Sequence, residues 1–405
     1  MAKKLKIAFV LTQSLESPSG LGRFGPIARE LTRNGHNVEI FCLHPDWRNL
    51  ENKVYIDKGV KINYVSHMHI RKIRSHKYYF SSQKLIWISL LAIFRLSRAI
   101  WRSQAEIIQI CKPHPINILA ALLAKRGRPI YCDCDDYEAE TNVFSSRWQR
   151  PIVQYFENGI INIATGITVN THFNLERYAK LGYSRQNIIF VPNGVERDRF
   201  DQIIDTTDVI QQLSINPEAP LIVYIGTLGV KSHPLGLLLE AFSVVVDQIP
   251  HSRLLLVGGG EDYDTLISQA QCLGVFDKTL FVGHQPPEEI PRYLAIATVS
   301  VDPIRDDLVA KARYPLKIVE SIALGIPVVT GDVGDRRLIL QDGKLGVLVN
   351  PGDSCALADG ILELLRDPSR REHMSRAAKD HKTKLYWENI AKDFVKIYSN
   401  SMYHN

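Results

Sequence analysis

Hydrophobic and polar positions along this chain follow the pattern of an α/β protein, in which short apolar runs alternate with longer amphipathic segments. The run 7–11 is followed by a Ser/Gly/Pro loop, a helical pattern at 23–34 and a second apolar run at 38–43, which predicts a βαβ unit. The alternation then continues to the end of the chain. We expect further strands at 107–110, 130–134, 167–169, 221–225, 254–257, 279–282 and 299–301, and helices at 84–102, 115–126, 149–163, 171–181, 234–247, 263–273, 287–296 and 373–400.

The segment Ala312–Thr330 predicts a loop, a helix and a buried strand. Pro315 suits the first helical turn and Gly325 a helix end. Lys317 and Glu320 are three residues apart, on one side of that turn. A cation beside a helix N-terminus favours anions, and a carboxylate can accept two hydroxyl hydrogen bonds, so the pair suits a nucleotide. The alternative is a solvated Lys–Glu pair on an amphipathic helix.

Several predicted strands are followed directly by polar residues or glycines. Asp135 and Asp136 come after the fourth strand, where parallel sheets place functional groups. These carboxylates can polarise a hydroxyl or simply cap the next segment. Gly226, Gly258 and Gly283 follow strands of the second half, and glycines there let the backbone approach a ligand. Each of these glycines could equally form an ordinary tight turn.

The segment Gly20–Gly25 matches the G-x-G-x-x-G pattern of dinucleotide-binding proteins, and an acidic residue, Glu39, follows it. That pattern requires its first glycine to come directly after the strand. Here eight residues, Gln13 to Gly20 inclusive, lie between Thr12 and Leu21, and Glu39 lies inside the second predicted strand. The context argues against an NAD site.

Composition narrows the class further. A length of 405 residues predicts two or three domains, and a hydrophobic content of 45% can fill their cores. The six cysteines are too few and scattered for a disulfide framework, which indicates a reducing cytoplasm. Cys132 and Cys134 lack a second pair of ligands, so we expect no zinc or other metal site. The apolar run at 7–11 is too short for a signal peptide.

The charge is divided unequally along the chain. Residues 1–200 hold 29 Lys and Arg against 16 Asp and Glu, which gives +13, whereas residues 201–405 hold 20 against 27, which gives −7. From Lys58 to Ala105 there are ten basic residues and no acidic one. This balance indicates that the first half meets a polyanion or an anionic membrane.

The predicted helix 84–102 is the main candidate for that contact. It places Lys84, Arg95, Arg98 and Arg102 on one side and aromatic residues opposite, which suits a helix lying in a membrane interface. Its apolar run falls short of the ~18 residues that a transmembrane helix needs. The alternative is a core helix whose basic edge is solvated.

The segment Ala312–Thr330 and the turn Pro192–Val195, followed by Phe200, resemble family 4 retaining glycosyltransferases. The resemblance covers nearly the whole chain and is strongest at 187–200 and 220–355. It implies the GT-B fold, in which two Rossmann-like α/β domains face each other across a cleft. The implied domains are an N-terminal acceptor-binding domain, 1–197, to which the helix 383–405 returns, and a C-terminal donor-binding domain, 198–382.

The resemblance also implies roles for individual residues. Glu320 would hold the donor ribose, and Lys231 and Lys317 its diphosphate. Ala312 stands where many members carry a further glutamate, a departure resembling a subgroup with a Pro-Leu-Lys segment before the retained glutamate. The implied site comprises catalytic Asp135 and Asp136, which match by position only, and donor-binding Gly22, Gly226, Lys231, Gly258, Gly283, Lys317, Ile318 and Glu320.

The implied activity is transfer of a sugar, with retention, from a nucleotide diphosphate sugar to a glycan or lipid-linked acceptor, in cell-surface polysaccharide or glycolipid synthesis. The nucleotide sugar is a co-substrate, and no cofactor, metal or nucleic acid is expected. We expect a cytoplasmic protein, in part peripheral on the inner face of the membrane. Two alternatives stay open: a nucleotide-sugar epimerase of the same fold, and a non-catalytic sugar-nucleotide-binding protein, which the loss of a glutamate at Ala312 would allow.

Overall fold

The computed structural model describes residues 4–73, 76–229 and 233–400. Strands and helices alternate along most of the chain, as the sequence predicts. The strands are β1 Lys6–Leu11, β2 Asn37–His44, β3 Val54–Asp57, β4 Val60–His67, β5 Ile70–Ile73, β6 His76–Tyr79, β7 Ile107–Cys111, β8 Ile130–Cys134, β9 Gly166–Val169, β10 Ile188–Phe190, β11 Leu221–Ile225, β12 Arg253–Val257, β13 Thr279–Gly283, β14 Val299–Asp302, β15 Val328–Gly331 and β16 Gly346–Val349.

The α-helices connect these strands, and most cross from one strand end to the next strand's start. They are α1 Gly25–Arg33, α2 Ser82–Arg102, α3 Pro115–Ala124, α4 Glu138–Thr141, α5 Gln149–Gly159, α6 His172–Lys180, α7 Arg197–Phe200, α8 Thr207–Gln212, α9 Leu235–Gln248, α10 Tyr263–Cys272, α11 Ile290–Ala295, α12 Leu308–Ala312, α13 Leu316–Ala323, α14 Arg336–Ile339, α15 Ser354–Arg366, α16 Pro368–His381 and α17 Trp387–Asn400.

The chain divides into two compact units. The first comprises the residues up to Asn193, the segment Ala312–Tyr314 and the chain from Trp387 onward. The second comprises Gly194–Lys311 and Pro315–Tyr386. The domain bounds that the sequence suggests, 1–197 and 198–382, stay a prediction.

The first unit is built on a sheet of order β10-β9-β8-β7-β1-β2-β4-β3, in which only β3 runs antiparallel to its neighbour. Its central strands are buried on both faces, as parallel sheets require. Helices α2 and α3 pack on one face, and α1 and α17 pack on the other. The second unit is built on a parallel sheet of order β13-β12-β11-β14-β15-β16. Both sheets confirm the predicted pair of Rossmann-like α/β units.

Some elements differ from the sequence prediction. The region at 54–79 contains four strands that the apolar-run criterion missed, because polar residues interrupt their apolar ones and because they lie near the edge of the sheet or in a separate hairpin. The single helix expected at 373–400 is two helices, α16 and α17. The chain turns at Lys382–Leu385, and Tyr386 then pairs with Val195 in an isolated parallel bridge, which a continuous helix would prevent.

Candidate functional site

Lys317 lies in the first turn of α13 at the carboxyl edge of the second unit's sheet. The helix begins at Leu316, so Pro315 is the residue before the first turn, with an extended backbone, and not within that turn as predicted. The Lys317 ammonium lies 3.2 Å from Asp302 Oδ1 and 4.0 Å from the centroid of the Tyr224 ring. Contact with a carboxylate and an aromatic face fixes the position of this cation.

Asp302, which ends β14, is shared between two cations. Its Oδ2 accepts hydrogen bonds from Nε and Nη2 of Arg336 at 3.1 and 2.9 Å, and both side chains are almost fully buried. Burial alone would raise the pKa of Asp302, but Lys317 and Arg336 outweigh it and hold that pKa below its usual range. The cluster of Asp302, Lys317 and Arg336 therefore carries a net positive charge, which suits a diphosphate.

Glu320 lies one turn along α13 from Lys317 and is partly buried. Burial raises the pKa of this carboxyl above its ordinary value, and the charges of Arg199 and Lys317 oppose the rise. The second unit thus brings together a fixed cation and a carboxylate in a single helical turn. This arrangement can hold a phosphate and a neighbouring diol at once.

The glycines after β11 and β12 are required by their conformation and their close contacts. Gly226 and Gly258 have φ values of 148° and 150°, and a Cβ on Gly258 would lie 1.8 Å from Gly226 O. A Cβ on Gly226 would lie 3.1 Å from Lys317 Nζ, so this glycine leaves room beside the cation. Gly283, at the end of β13, has a φ of 78° and open space around it.

Two further donor-site candidates have different outcomes. Ile318 is fully buried, and its N–H already donates to Pro315 O at 3.2 Å, so neither its side chain nor its amide is available to a ligand in this conformation. Lys231 lies outside the described residues.

In the first unit, Asp135 and Asp136 follow β8, as predicted, and gather around a buried lysine that sequence reasoning missed. The Lys112 ammonium lies 3.1 Å from Asp135 Oδ1, 2.6 Å from Asp136 Oδ2 and 2.9 Å from Glu138 Oε1. Burial would lower the pKa of Lys112, but the three carboxylates outweigh it and raise that pKa well above its ordinary value. The cluster of Lys112, Asp135, Asp136 and Glu138 thus places one cation among three carboxyl groups.

The backbone and the electrostatics of this cluster are both unusual. Lys112 has a φ of 76°, a left-handed conformation that is uncommon for a residue with a side chain and is enriched at functional sites. Asn117 holds it there by donating to the carbonyls of Cys111 and Lys112. Burial raises the pKa of Asp135 to about 7, against the pull of Lys112. Asp135 can therefore exchange a proton near neutral pH.

The three carboxyl groups lie within 4.8 Å of one another, which is close enough to share a metal ion. The Lys112 ammonium already contacts all three, so its charge occupies the role that a cation would have there. Lys112 thus neutralises part of the charge of the three carboxyl groups, and we assign no metal ion to them.

Gly22 lies in a π-helical turn, Gly20–Phe24, that leads into α1. The neighbouring Arg23 points into the core, where its guanidinium forms two hydrogen bonds with Asp133, at 2.8 and 2.7 Å, and one with Asn193 Oδ1 at 2.9 Å. Thr168 donates a further hydrogen bond to Asp133. Arg23 therefore stabilises the first unit beneath the strand ends and does not face a ligand.

Ala312, the position of the missing glutamate, ends α12 and is fully buried. Its carbonyl accepts a hydrogen bond from Asn174 Nδ2 at 3.4 Å. Two residues later, Tyr314 O accepts a hydrogen bond from Asn193 Nδ2 at 2.9 Å. Both donors belong to the same compact unit as Ala312–Tyr314. The segment is therefore held through its backbone, and none of these contacts supplies a carboxylate in place of the glutamate.

Helix α2 packs one face into the core of the first unit and exposes the other. It buries only one stripe, Ala92, Leu96 and Ile100. Within the described part of the chain, no helix combines the length and the apolarity needed to cross a bilayer. The predicted opposition of cations and aromatics on α2 was wrong: the exposed Arg98 and Arg102 share the outer side with aromatic residues, whereas Arg95 packs over the Trp47 ring at 4.5 Å. The exposed apolar residues of α2 are Ile86, Trp87, Leu90, Leu91, Phe94 and Trp101.

Comparison with known proteins gives matches to both units. The model "Glycosyltransferase Family 4" matches residues 27–199, and the model "Glycosyl transferases group 1" matches residues 205–381. A GDP-mannose-dependent alpha-(1-6)-phosphatidylinositol monomannoside mannosyltransferase of Mycolicibacterium smegmatis is 27% identical over 70% of this chain and 74% of its own length. A D-inositol 3-phosphate glycosyltransferase of Corynebacterium urealyticum is 29% identical over 60% of this chain but only 58% of its own length.

Solved structures match over the whole fold. Sucrose-phosphate synthase from Thermosynechococcus elongatus aligns with a TM-score of 0.78 and 19% identity, over 99% of this chain and 100% of its own. HepE of Anabaena in complex with UDP and glucose aligns with a TM-score of 0.73 and 18% identity, over 98% and 99%. These likenesses and the two matched models, which together account for both units, confirm the GT-B fold. The chain therefore belongs to family 4 of the glycosyltransferases.

Proposed function

We propose that this protein transfers a sugar, with retention of configuration, from a nucleoside diphosphate sugar to a hydroxyl group of a glycan or lipid-linked acceptor. The observation that carries the proposal is the position of Lys317, which Asp302 and the Tyr224 ring hold beside Gly226, one helical turn from Glu320. A pre-positioned cation stabilises the charge that develops on the departing diphosphate without further reorganisation. Glu320 would accept hydrogen bonds from the ribose hydroxyls.

The nucleobase and the acceptor are proposed from relatives. One relative uses GDP-mannose and acts on a phosphatidylinositol mannoside, and one structural neighbour binds UDP and glucose. GDP and UDP are therefore the first nucleotides to compare. The exposed apolar surface of the first unit, described below, favours a glycolipid acceptor over a soluble acceptor. A glycolipid acceptor would give the protein a role in the synthesis of cell-surface polysaccharide or glycolipid.

For the acceptor side we propose Asp135 and Asp136. A carboxyl group with a pKa of about 7 can accept a hydrogen bond from an acceptor hydroxyl and align it for attack. The donor phosphate itself can take the hydroxyl proton, so neither aspartate has to act as the base. Lys112 would hold both carboxyl groups in place.

The test is turnover of GDP- and UDP-sugars labelled in the sugar, with and without a glycolipid extract as acceptor. We expect label to move to the acceptor only when both are present, and the anomeric configuration of the product reports retention. Conversion of the sugar without any acceptor would instead indicate an epimerase. Tight nucleotide binding with no turnover under any condition would indicate a non-catalytic binding protein.

We also propose that the first unit docks on an anionic membrane surface. Helix α2 packs against α3, and α3 against α5, and all three expose large apolar side chains. Trp87, Phe94, Leu123 and Tyr155 are 74%, 59%, 67% and 76% exposed. Isolated apolar residues on a surface need no explanation, but a set of this size on adjoining helices marks an interaction surface.

The charges around this apolar surface favour an anionic bilayer over a protein partner. The exposed Arg98 and Arg102 lie on α2, and Arg126, just after α3, stacks on Trp101 with its guanidinium 4.4 Å from the ring centroid. Aromatic and basic side chains together are typical of helices that lie in the headgroup region. We expect binding to vesicles that contain phosphatidylglycerol, with loss at high salt, and none to phosphatidylcholine vesicles. Equal recovery with both vesicles would contradict the proposal.

A further inference from the structure

Helix α4 is one turn long and carries Glu138, one of the three carboxyl groups around Lys112. The residue before the helix, Tyr137, makes no side-chain hydrogen bond to its first turn. A single turn is too short to be stable through its own backbone hydrogen bonds. The Glu138 carboxyl accepts from Lys112 Nζ at 2.9 Å and from Asn142 Nδ2 at 2.8 Å. Its position therefore depends on whatever holds the start of the helix.

Glu157, on α5, supplies the missing cap. Its side chain is fully buried, and its Oε1 accepts a hydrogen bond from Glu138 N at 2.9 Å while its Oε2 accepts one from Ala139 N at 3.1 Å. These are two of the N–H groups that a helix leaves unpaired in its first turn. A single carboxylate therefore ties the start of α4 to α5.

Arg177, on α6, holds Glu157 in turn. Its Nη1 donates to Glu157 Oε1 at 3.2 Å, its Nη2 donates to Asn158 Oδ1 at 2.6 Å, and its guanidinium lies 3.9 Å from the centroid of the Tyr137 ring. Burial raises the pKa of Glu157 to about 7, and the charge of Arg177 opposes that rise. Arg177 therefore favours the ionised carboxylate, which is the stronger acceptor for the N–H groups of α4.

We propose that Glu157 is a positioning residue of the acceptor site, which fixes the first turn of α4 and through it holds the Glu138 carboxyl against Lys112. This inference rests on the proposed role of the two aspartates that follow β8. Both oxygens of Glu157 are occupied by α4, and Arg177 covers one of them. Glu157 therefore acts through Glu138 and not on the substrate itself.

The path from Glu138 to the proposed acceptor groups consists of direct contacts. The Lys112 ammonium lies 2.6 Å from Asp136 Oδ2 and 3.1 Å from Asp135 Oδ1. If Glu138 moves, the ammonium loses one of its three partners, and the two aspartates are no longer held in one place. A misplacement of about 1 Å can slow a reaction by up to about 100-fold, so the cap on α4 affects the rate of transfer.

The test measures the transfer rate of the full-length protein at saturating donor, with the GDP- or UDP-sugar that the wild type turns over and a glycolipid extract as acceptor. The assay is run at about pH 8.5, where Glu157 is ionised. We expect Glu157→Gln to lower the transfer rate about tenfold, because the amide keeps the shape but holds α4 less firmly. We expect its affinity for GDP or UDP to match the wild type.

A double-variant comparison separates positioning from simple stabilisation of the fold. We expect Glu138→Gln to lower the transfer rate as well, and Glu157→Gln to cause no further loss in the Glu138→Gln background, because one residue acts through the other. Two losses that multiply would refute the role of Glu157. Glu176→Gln is the matched control, because Glu176 lies on α6 and forms an exposed ion pair with Arg185. We expect its transfer rate to match the wild type.

The outcomes distinguish this inference from the proposed function. If Asp135→Asn and Asp136→Asn both transfer sugar like the wild type, the acceptor site and this inference fail together. If they lose transfer but folded Glu157→Gln keeps the wild-type rate, the acceptor site stands and the role of Glu157 is refuted. Thermal unfolding shows whether each variant is folded at the assay temperature. Should Glu157→Gln not fold, Arg177→Gln replaces it, and a wild-type rate in that variant refutes the inference.

Discussion

The carboxyl edges of the two sheets carry opposite balances of buried charge. In the first unit one cation, Lys112, is surrounded by three carboxyl groups. In the second unit one carboxylate, Asp302, is shared by two cations, Lys317 and Arg336. The edge of the first unit's sheet is therefore acidic, which suits a neutral, hydroxyl-rich acceptor. The edge of the second unit's sheet is basic, which suits a diphosphate.

This local balance is the reverse of the overall charge of each half of the chain, which is +13 for residues 1–200 and −7 for residues 201–405. The surplus cations of the first half lie largely outside the strand ends, as Arg98 and Arg102 do on the exposed side of α2. Overall charge therefore reports what the outer surface attracts, whereas the buried pairs decide which ligand each strand edge can accept.

The largest expected effect concerns the buried arginine beneath each edge. Replacing Arg336 with Met leaves Asp302 buried and without its main partner. Replacing Arg23 with Met does the same to Asp133. We expect each variant to lose about 3–5 kcal/mol of unfolding free energy, the cost of breaking a buried ion pair on one side. Chemical denaturation measures this.

Arg337→Met is the matched control, because Arg337 is exposed and its pair with Asp332 is at the surface. We expect the unfolding free energy of this variant to equal that of the wild type within the error of the measurement. A similarly small loss in Arg23→Met would break the comparison, since it would mean that the acidic edge does not depend on a buried cation in the way the basic edge does.

The next effect concerns the donor ligand. We expect Lys317→Ala and Glu320→Ala each to weaken binding of GDP or UDP by about 1.5–3 kcal/mol, the scale of charge-assisted hydrogen bonds. Isothermal titration measures it, and Lys311→Ala is the control, because Lys311 pairs with Asp306 near the surface. Affinity at the wild-type level in both site variants would refute the assignment of the basic edge to the diphosphate.

A smaller effect concerns the pH dependence of the acidic edge. Asp135 has a pKa of about 7 in the folded protein, raised first by burial and then by Asp136 and Asp133, against Lys112 and Arg23. A raised carboxyl pKa means that the protonated group stabilises the fold at low pH and that this contribution is lost as pH rises through 7. Between pH 5.5 and 8.5, we expect wild-type stability to fall relative to Asp135→Asn by about 1–2 kcal/mol.

The same variant tests the proposed role of Asp135 in transfer. We expect Asp135→Asn to lose transfer activity while nucleotide affinity survives, because the nucleotide site is assigned to the second unit. If the unfolding free energies of the wild type and of Asp135→Asn change with pH by the same amount, Asp135 does not titrate near neutral pH. Unchanged transfer would show that it does not align the acceptor.

The smallest effect concerns single surface cations. We expect Arg98→Gln to weaken binding to phosphatidylglycerol vesicles by about 1 kcal/mol, the contribution of one cation near an anionic surface. Arg376→Gln on α16 of the second unit is the control, because Arg376 is exposed and far along the chain from the basic region. Arg95 is unsuited to this test because it packs on Trp47, so its replacement would disturb the fold. Equal losses in Arg98→Gln and Arg376→Gln would mean that the docking surface is not on the first unit.

The alternation of strands and helices was readable from the sequence because strands buried on both faces are short continuous apolar runs. The prediction for 130–134 and 221–225 matches β8 and β11 to the residue. The same rule missed β3 to β6, in which polar residues interrupt the apolar ones, and helical periodicity joined α16 and α17 into one helix. Those features depend on pairing partners far away in the chain, such as Val195 for Tyr386.

The sequence by itself determined the family, the two α/β units and the local geometry of the Lys317–Glu320 turn, because a helix fixes the side on which residues three apart project. Tertiary structure alone decided which charges surround them. Asp302 and Arg336 are 34 residues apart, and Arg23 and Asp133 are 110 residues apart, so no local pattern pairs them. Only a folded interior, where an unpaired charge is costly, selects those partners and so sets the acidic edge of one sheet and the basic edge of the other.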